Sequence, residues 1–259
     1  MIMKLHSETE RTKIYKSDCL EFLRAQPECS IDLIATDPAY SGMNNKLKFG
    51  KGRIVGKYQN QNNDKWFEEF KDDPDNFIEF LKECYRVLKE DRHIYIMFDS
   101  FSLLTLAPLI REVFDVKNII VWDKVNIGMG HYFRRRHELI VFASKGKRKL
   151  TSRAIPDIWA HKRITRAAYP TQKPVEIFDE MVKASTEQGF RVCDPFLGSG
   201  SAAIAALKNG CNFIGSDISS KACSMSSKRI KHFEKNGHDL TPKTKQKKTK
   251  ESVNASLFD

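Results

Sequence analysis

Short apolar runs alternate along this chain with stretches of helical apolar spacing, and this alternation constrains the fold more than any other feature. Strands are predicted at residues 12–17, 31–36, 94–98, 117–124, 138–143, 192–193 and 212–215. Helices are predicted at residues 19–25, 74–88, 103–113, 175–185 and 201–207. Strands joined through helices lie parallel in one sheet. The alternation therefore predicts a Rossmann-like, doubly wound α/β fold with a mostly parallel sheet.

The apolar run at 31–36 is followed by the tetrad Asp37-Pro38-Ala39-Tyr40. In open α/β sheets, ligands bind beyond the carboxyl ends of the strands. The Asp37 carboxylate and the Pro38 carbonyl can each accept a hydrogen bond from an amine, and Tyr40 can stack on a flat heterocycle. A buried strand followed by an ordinary Asp-Pro turn is the simpler interpretation, and these residues alone do not decide between the two.

A second predicted strand end is followed by a glycine-rich turn, which opens a helix of small residues. The turn contains Asp194, Phe196, Gly198, Ser199 and Gly200. Its glycines let a ligand approach the backbone closely, and Asp217, about 20 residues farther on, is placed to bind a ribose diol. The turn has neither the full G-x-G-x-x-G pattern nor a P-loop lysine, so a nucleoside without phosphates is favoured over a nucleotide. An ordinary helix start is the alternative.

Charge and composition narrow the classes of partner. The chain has 259 residues, 41% of them hydrophobic, which fits one large α/β domain with a small insertion. Its formal net charge of +11 favours a nucleic-acid partner, although a solvated basic surface has the same composition. No apolar run approaches ~18 residues, and residues 1–11 lack the apolar core of a signal peptide, so we expect a cytoplasmic protein without a membrane span. The cysteines and histidines lack metal-ligand spacing, so no metal site is expected.

Four segments, in this order, resemble the S-adenosylmethionine-dependent DNA amino-methyltransferases of the β class. Residues 13–20 resemble the family's Gly-Asp-Cys strand end, the tetrad its Asp-Pro-Pro-Tyr motif, residues 169–174 its His-Pro-Thr-Gln-Lys-Pro segment, and residues 194–200 its Phe-x-Gly-x-Gly cofactor loop. The catalytic motif precedes the cofactor loop, which is the permuted order of this class. The resemblance covers residues 12–232 and implies a circularly permuted class I methyltransferase fold.

The resemblance implies a role for each matching residue. Asp37 and the Pro38 carbonyl would hold the exocyclic amine of a base flipped out of the duplex, and Tyr40 would stack on that base. The residues implied to bind S-adenosylmethionine are Asp18 at the adenine amine, Asp217 at the ribose, the turn residues Asp194, Phe196, Gly198, Ser199 and Gly200 around the methionine and sugar, and Thr171, Gln172 and Lys173 at the methionine carboxylate. A solvated lysine at a helix start is the alternative for Lys173.

Three positions depart from the family's motifs. Ser17 replaces Gly, Ala39 replaces the second Pro of the tetrad, and Tyr169 replaces His. Ala39 is expected to remove some rigidity from the tetrad, although the contacts assigned to its neighbours do not need a proline there.

Basic segments are expected to contact duplex DNA. A small target-recognition element is predicted at 144–168, with Lys147, Arg148, Lys162, Arg163 and Arg166 as its DNA-binding residues. A mobile loop is predicted at 41–73, near the active site, and is expected to contact the bases of the recognition sequence together with this element. Arg134, Arg135 and Arg136 are predicted to bind phosphates, although a charged hairpin tip has the same pattern.

These expectations combine into a site-specific DNA methyltransferase of the restriction-modification kind, encoded by a bacterium or a phage, that methylates adenine N6. The leading Asp of the tetrad favours adenine, since the resemblance implies that cytosine-N4 enzymes more often carry Ser there. Cytosine-N4 methylation, RNA adenine methylation and a non-catalytic DNA-binding module are the alternatives.

The chain is predicted to divide into a methyltransferase domain at 1–235 and a basic, disordered tail at 236–259. The tail ends near Ser256, Leu257 and Phe258, which weakly resemble the short peptides that bind bacterial sliding clamps. An unstructured end is the simpler interpretation. A homodimer is left open.

Overall fold

The described residues of this computed structural model are 3–40, 48–49, 53–54, 70, 73–128, 132–165, 167, 169 and 171–240, with the backbone alone described at 48–49, 53–54 and 101. The predicted loop at 41–73 lies mostly outside these residues. Arg166 and the tail beyond 240, including Ser256, Leu257 and Phe258, also lie outside them. No helix in the described ranges has the length and apolar character needed to cross a lipid bilayer.

Strands and helices alternate through the described residues. The strands are β1 (Lys4–Glu8), β2 (Thr12–Lys16), β3 (Ile31–Thr36), β4 (Lys48–Phe49), β5 (Arg53–Ile54), β6 (Leu88–Phe98), β7 (Asp115–Asp123), β8 (His137–Lys145), β9 (Ile158–Ala160), β10 (Arg191–Asp194) and β11 (Asn212–Asp217). The helices are α1 (Cys19–Arg24), α2 (Pro74–Val87), α3 (Ser100–Val113), α4 (Val175–Ser185), α5 (Ser201–Lys208) and α6 (Ser220–Asn236).

Within the described chain, nine of these strands form one sheet in the order β1-β2-β11-β10-β3-β6-β8-β7-β9, and β4 pairs with β5 separately. Only β1 and β8 run antiparallel to the other seven strands of this sheet. The predicted doubly wound, mostly parallel sheet is therefore confirmed.

Both faces of the sheet are covered, which explains the continuous apolar run of β3. Every residue of β3 is buried. Because successive side chains point to opposite faces, Leu33 and Ala35 pack into one core with α4 and α5, whereas Ile34 packs into a second core with α1, α2 and α3. A parallel strand buried on both faces needs apolar residues at both sets of positions.

The order of the strands creates a crevice in the middle of the sheet. β3 and β10 are neighbours, but β3 continues through α2 to β6 on one side, while β10 continues through α5 to β11 on the other. At such a switch point the connections diverge from the carboxyl ends of the two strands, and ligands bind there in open α/β folds. The tetrad follows β3, and the glycine-rich turn follows β10.

Four of the described strands fall outside the sequence expectations, and two of them, β4 and β5, lie inside the predicted loop at 41–73. β1 is an edge strand that pairs only with β2 among the described strands, and its largely exposed sequence has no apolar run to reveal it. β9 lies inside the segment 144–168, predicted as a target-recognition element without a strand. At the other end of the chain, α6 reaches Asn236 and Arg229 pairs with Asp239, so the described structure continues past residue 235.

Candidate active site

A cavity of about 440 Å³ lies at the carboxyl ends of the central strands. Its walls bring together most of the predicted site residues, namely Asp18, Asp37, Pro38, Tyr40, Arg135, Thr171, Lys173, Phe196, Gly198, Ser199 and Asp217. Gln172, Asp194 and Gly200 adjoin these residues in the chain without lining the cavity. Because residues of both segments line the cavity, the fold joins the tetrad and the glycine-rich turn in one concave site.

Across the described residues, no group of three or more His, Cys, Asp or Glu side chains could hold a metal ion.

Asp37 is part of a chain of alternating charges. Lys173 Nζ lies 2.5 Å from Asp37 Oδ2 and 3.5 Å from Glu138 Oε2. Lys124 Nζ lies 3.3 Å from the other oxygen of the Glu138 carboxylate. The side chains of Lys173 and Asp37 expose only 13% and 25% of their surface, so this ion pair is largely shielded from water. Sequence reasoning missed Glu138 and Lys124, which are single charged residues outside any motif.

The shielding of this pair shifts the pKa values of both partners. Burial raises the pKa of the Asp37 carboxyl, Lys173 lowers it and Glu138 raises it, with a net upward shift. Burial lowers the pKa of Lys173, but the carboxylates of Asp37 and Glu138 outweigh burial and raise it above its ordinary value. Lys173 therefore stays protonated, and the ionisation of Asp37 depends on the charges beside it.

The tetrad is held by backbone and ring contacts. The Tyr40 N–H donates to the Pro38 carbonyl, and the Phe70 N–H donates to the Ala39 carbonyl, each at 3.0 Å. The Tyr40 ring is 3% exposed and stacks on Phe98, with centroids 5.1 Å apart and planes inclined by 17°. The bond from Phe70 restrains the backbone at Ala39, where the sequence predicts a loss of rigidity.

The glycine-rich turn uses backbone conformations that favour glycine. Gly198 and Gly200 have φ values of 49° and 82°. The Gly198 N–H donates to Asp217 Oδ2 at 2.8 Å. A Cβ atom on Gly200 would lie 2.9 Å from the Cβ of Ser226 in α6. The turn is therefore packed between the end of β11 and α6, with its Gly198 and Ser199 facing the cavity.

Polar groups at the ends of β2 and β11 could hold a nucleoside. Asp217 Oδ1 accepts from the Ser219 N–H at 2.8 Å, and burial raises the pKa of Asp217 against the lowering effect of its backbone donors. Asp18 Oδ1 accepts from the N–H groups of Leu20 and Glu21 at the start of α1. Ser17 Oγ is buried at the cavity wall and has no hydrogen-bond partner among the described residues. An unpartnered buried hydroxyl beside two carboxylates fits a polar ligand such as S-adenosylmethionine.

Asp194 lies behind the turn, off the cavity wall. It is 2% exposed, and its Oδ1 accepts from the Thr36 hydroxyl at 2.7 Å and from the Phe196 N–H at 3.0 Å. Burial raises the pKa of Asp194 to about 7, although both hydrogen bonds lower it. The carboxylate therefore connects the end of β3 to the turn.

Sequence reasoning also missed Arg229, which supports the same turn from α6. Arg229 is 4% exposed, and its Nη1 donates to the Ser199 carbonyl at 3.0 Å and to Ser201 Oγ at 3.1 Å. Its remaining guanidinium nitrogens donate to Asp239. The one sequence signal is an arginine on the buried side of α6, which needs a charged partner.

The direction of β8 corrects part of the predicted DNA-binding surface. β8 is antiparallel to β6, so it begins at the cavity with His137 and ends with Lys145 at the opposite edge of the sheet. Lys147 and Arg148 follow Lys145, and Arg148 pairs with Glu187 at 2.7 Å on that far edge. We therefore exclude Lys147 and Arg148 from the proposed DNA face, because the reversed strand carries them away from the cavity.

The second half of the predicted recognition element returns to the cavity side. β9 is parallel to β7, and the His161 N–H donates to the Asp123 carbonyl at the end of β7. Lys162 and Arg163 follow directly and are exposed. Residues 144–168, predicted as one element, thus begin at the end of the sheet opposite to the cavity and return to the end where the cavity lies.

The three consecutive arginines have different surroundings. Arg135 lines the cavity. Arg136 pairs with Asp123 through two contacts of 2.6 Å, and Arg134 Nε donates to the Gly128 carbonyl at 2.9 Å. All three are exposed, so the connection between β7 and β8 and residues 162–163 form a basic surface on the cavity side of the sheet.

Comparison with protein families places the chain in a defined group. The family model of the N6/N4 methyltransferases, described as DNA methylase, matches residues 31–228. Among curated relatives, the type II methyltransferase M2.MboI of Moraxella bovis is 28% identical over 262 residues, covering 91% of each chain. The DNA adenine methyltransferase YhdJ of Escherichia coli (strain K12) is 26% identical over 280 residues, covering 93% of this chain and 90% of its own.

Solved structures share the fold. The complex of M1.HpyAVI with S-adenosylmethionine has a TM-score of 0.62 at 20% identity and covers 84% of this chain and 99% of its own. The cytosine-N4-specific PvuII DNA methyltransferase has a TM-score of 0.66 at 18% identity, covering 85% of this chain and 86% of its own.

Proposed function

Because the chain belongs to the N6/N4 family of DNA methylases, we propose that it methylates N6 of adenine at a specific sequence in duplex DNA. Family membership makes it an S-adenosylmethionine-dependent DNA methyltransferase. The observation that supports transfer of a methyl group to an amine is the cavity shared by Asp37, the Pro38 carbonyl, Gly198 and Asp217. Acceptors for an amine and a nucleoside-binding turn then lie in one site.

Asp37 and the Pro38 carbonyl are proposed to hold the amine of the flipped base. Lys173 occupies Asp37 Oδ2, so Oδ1 would accept one amine N–H. The Pro38 oxygen accepts from the Tyr40 N–H and has a second lone pair for the other amine hydrogen. Two acceptors favour the pyramidal nitrogen that develops as its lone pair attacks, so both contacts strengthen towards the transition state.

Bound S-adenosylmethionine would supply a methyl group on a sulfonium: the C–N bond would form as the C–S bond breaks, the sulfur would keep the electron pair, and one amine proton would pass to the Asp37 carboxylate that accepts its hydrogen bond and then to solvent. The chain's own contribution is to bring the amine in line with that methyl group. Such positioning is worth about 7–11 kcal/mol in well-oriented reactions. No covalent bond to the chain is needed.

The role proposed for Lys173 differs from the one implied by the resemblance. Its ammonium lies between the carboxylates of Asp37 and Glu138, which already balance its charge. We assign Lys173 to positioning Asp37, instead of binding the methionine carboxylate. Thr171 lines the cavity and, with Gln172 next to it, remains the proposed contact for that carboxylate.

The cofactor's nucleoside is proposed to lie between β2 and β11. Its ribose hydroxyls would donate to Asp217, and its adenine amine to Asp18, whose Oδ2 has no donor among the described residues. Ser17 Oγ would gain the hydrogen-bond partner that it lacks in the described chain. Phe196, Gly198 and Ser199 would cover the sugar and methionine.

Adenine is favoured over cytosine by the leading Asp37 of the tetrad. One relative, YhdJ, is a DNA adenine methyltransferase, whereas the PvuII enzyme with a similar fold is cytosine-N4-specific. Tyr40 lines the cavity but is 3% exposed and stacks on Phe98, so stacking of the target base on the opposite face of its ring requires that face to be uncovered when DNA binds. Stacking of this kind stabilises an unpaired base by about 1–3 kcal/mol.

The proposal is tested by expressing the chain in cells that lack DNA methylation and sequencing their DNA by a single-molecule method. Modified adenines in one sequence context are expected, and Asp37→Ala should give none. Modified cytosines would contradict the adenine assignment. Incorporation of labelled methyl groups into RNA in preference to duplex DNA would contradict the DNA assignment.

A further inference from the structure

The connection between β7 and β8 exposes aromatic side chains beside the cavity. Phe133 and Tyr132 expose 98% and 90% of their surface, more than any other large apolar side chain in the described ranges. Val125 and Ile127, in the same connection, are 36% and 49% exposed. Apolar surface in water is unfavourable, so a cluster of this kind indicates a contact with a partner.

The connection is a hairpin held at the mouth of the cavity. The Lys124 N–H donates to the Arg136 carbonyl at 2.8 Å, and the Gly128 N–H donates to the Arg135 carbonyl at 2.6 Å. Arg135 lines the cavity. Phe133 is two residues away, so its Cα atom lies within about 7 Å of that of Arg135. The exposed ring is therefore next to the opening through which a target base would enter.

The charges of the hairpin indicate a polyanionic partner. Residues 124–137 include Lys124, Arg134, Arg135 and Arg136 and contain no Asp or Glu. The flanking carboxylates are paired, Asp123 with Arg136 and Glu138 with Lys124. A second copy of this chain would bring the same positive charges together, whereas duplex DNA offers phosphates around flat apolar base faces. Duplex DNA is thus the partner that matches both the charge and the aromatic surface.

We propose that Phe133 inserts into the base stack at the place left by the flipped base, which rests on the function proposed above. Flipping leaves the neighbouring base pairs without a stacking partner, and apolar wedges fill gaps of this kind in other DNA-binding proteins. The aromatic ring keeps the vacated position closed, and the net positive charge of the hairpin attracts the phosphates. Phe133 thus favours the flipped state without contacting the reacting atoms.

The test compares two synthetic duplexes that carry the sequence mapped in expressing cells. In one, the target adenine is paired with thymine; in the other, it lies opposite an abasic site and needs no unpairing. Phe133→Ala should lower kcat/KM about tenfold on the paired duplex and leave it within about twofold of wild type on the abasic duplex. Phe133→Trp, which keeps a flat apolar ring, should retain wild-type activity on both.

Leu5→Ala provides a matched control, because Leu5 is 46% exposed on β1 at the other end of the sheet. It should change neither rate. Equal rates for Phe133→Ala and wild type on the paired duplex would overturn the proposed insertion of Phe133 but not the proposed function. Equal losses on both duplexes, or a change in oligomeric state, would have the same meaning. A wild-type chain that methylates neither duplex would overturn the proposed function and the wedge with it.

Discussion

Lys173 Nζ lies 2.5 Å from Asp37 Oδ2, although the two residues are 136 positions apart in the chain. The contact joins the segment before α4 to the end of β3, and Glu138 approaches the same ammonium from β8. The carboxylate proposed to hold the substrate amine is therefore oriented by one cation, and burial together with one nearby anion raises its pKa. This arrangement makes the acid limb of the pH–rate profile sensitive to both neighbours.

Lys173→Met and Glu138→Gln are expected to move the acid limb in opposite directions. Asp37 must be ionised to accept the amine, and its raised pKa places the loss of activity at a higher pH than for an ordinary carboxyl. Lys173 lowers that pKa, so its removal should move the limb to higher pH and lower kcat about a hundredfold through lost positioning. Glu138 raises the pKa, so its removal should move the limb to lower pH. Profiles of kcat between pH 5 and pH 9 measure both shifts, and shifts of the same sign would contradict the network.

Gly200→Ala should abolish cofactor binding, because an added Cβ atom would meet Ser226 at 2.9 Å and displace the turn. Gly189→Ala is its matched control: Gly189 has a φ of 83°, close to the 82° of Gly200, but open space around the added atom. Both variants carry the same backbone strain, so only the packing against α6 differs. Calorimetric titration with S-adenosylmethionine measures the difference. Equal affinities for the two variants would show that this packing does not shape the cofactor site.

Asp194→Asn is expected to stabilise the protein at alkaline pH. The pKa of Asp194 in the folded chain is about 7, above its unfolded value near 4, so its contribution to stability is complete below pH 4 and is lost as the pH rises through 7. Asn can still accept from Thr36 and Phe196 without burying a charge. The gain in unfolding free energy should reach about 4 kcal/mol at pH 8 and vanish near pH 4. Urea unfolding at several pH values tests this, and a gain independent of pH would contradict the assigned titration.

Two double variants that remove the same number of positive charges test which end of the sheet contacts DNA. Lys162→Ala with Arg163→Ala removes two exposed cations on the cavity side, and Lys147→Ala with Lys149→Ala removes two on the far edge. The first pair should weaken DNA binding and reduce the slope of log K against log salt by about 2, since each phosphate contact releases about one counterion. The second pair should leave the slope unchanged. The reverse result would place the duplex on the opposite edge of the sheet.

The local sequence pattern was sufficient to predict the helices and strands whose side chains pack into the core. The bounds predicted for β3 and α4, 31–36 and 175–185, agree with the structure. The buried residues of α4 recur at helical spacing, and β3 is a short, continuous apolar run that is buried on both faces, so the sequence alone carries both signals. β1 has no such repeat because it is an exposed edge strand.

Strand direction and long-range pairing are not encoded in local pattern. β8 is buried like a parallel strand but runs the other way, so Lys147 and Arg148 lie at the end of the sheet opposite to the cavity. Phe98 and Asp99 could have been found, since they end β6 as Asp37 follows β3, and both line the cavity. Glu138 and Arg229 could not, because their importance depends on partners brought near only by the fold.

The central claim is that Asp37 holds an adenine amine for direct methylation, and nucleoside analysis of the product tests it most directly. Purified protein is incubated with S-adenosylmethionine and unmethylated duplex DNA, and the digested DNA is analysed by mass spectrometry. The wild type should form N6-methyldeoxyadenosine, while Asp37→Ala should form none and still bind S-adenosylmethionine in calorimetry. N4-methyldeoxycytidine from the wild type, or undiminished N6-methyldeoxyadenosine from Asp37→Ala, would contradict the claim.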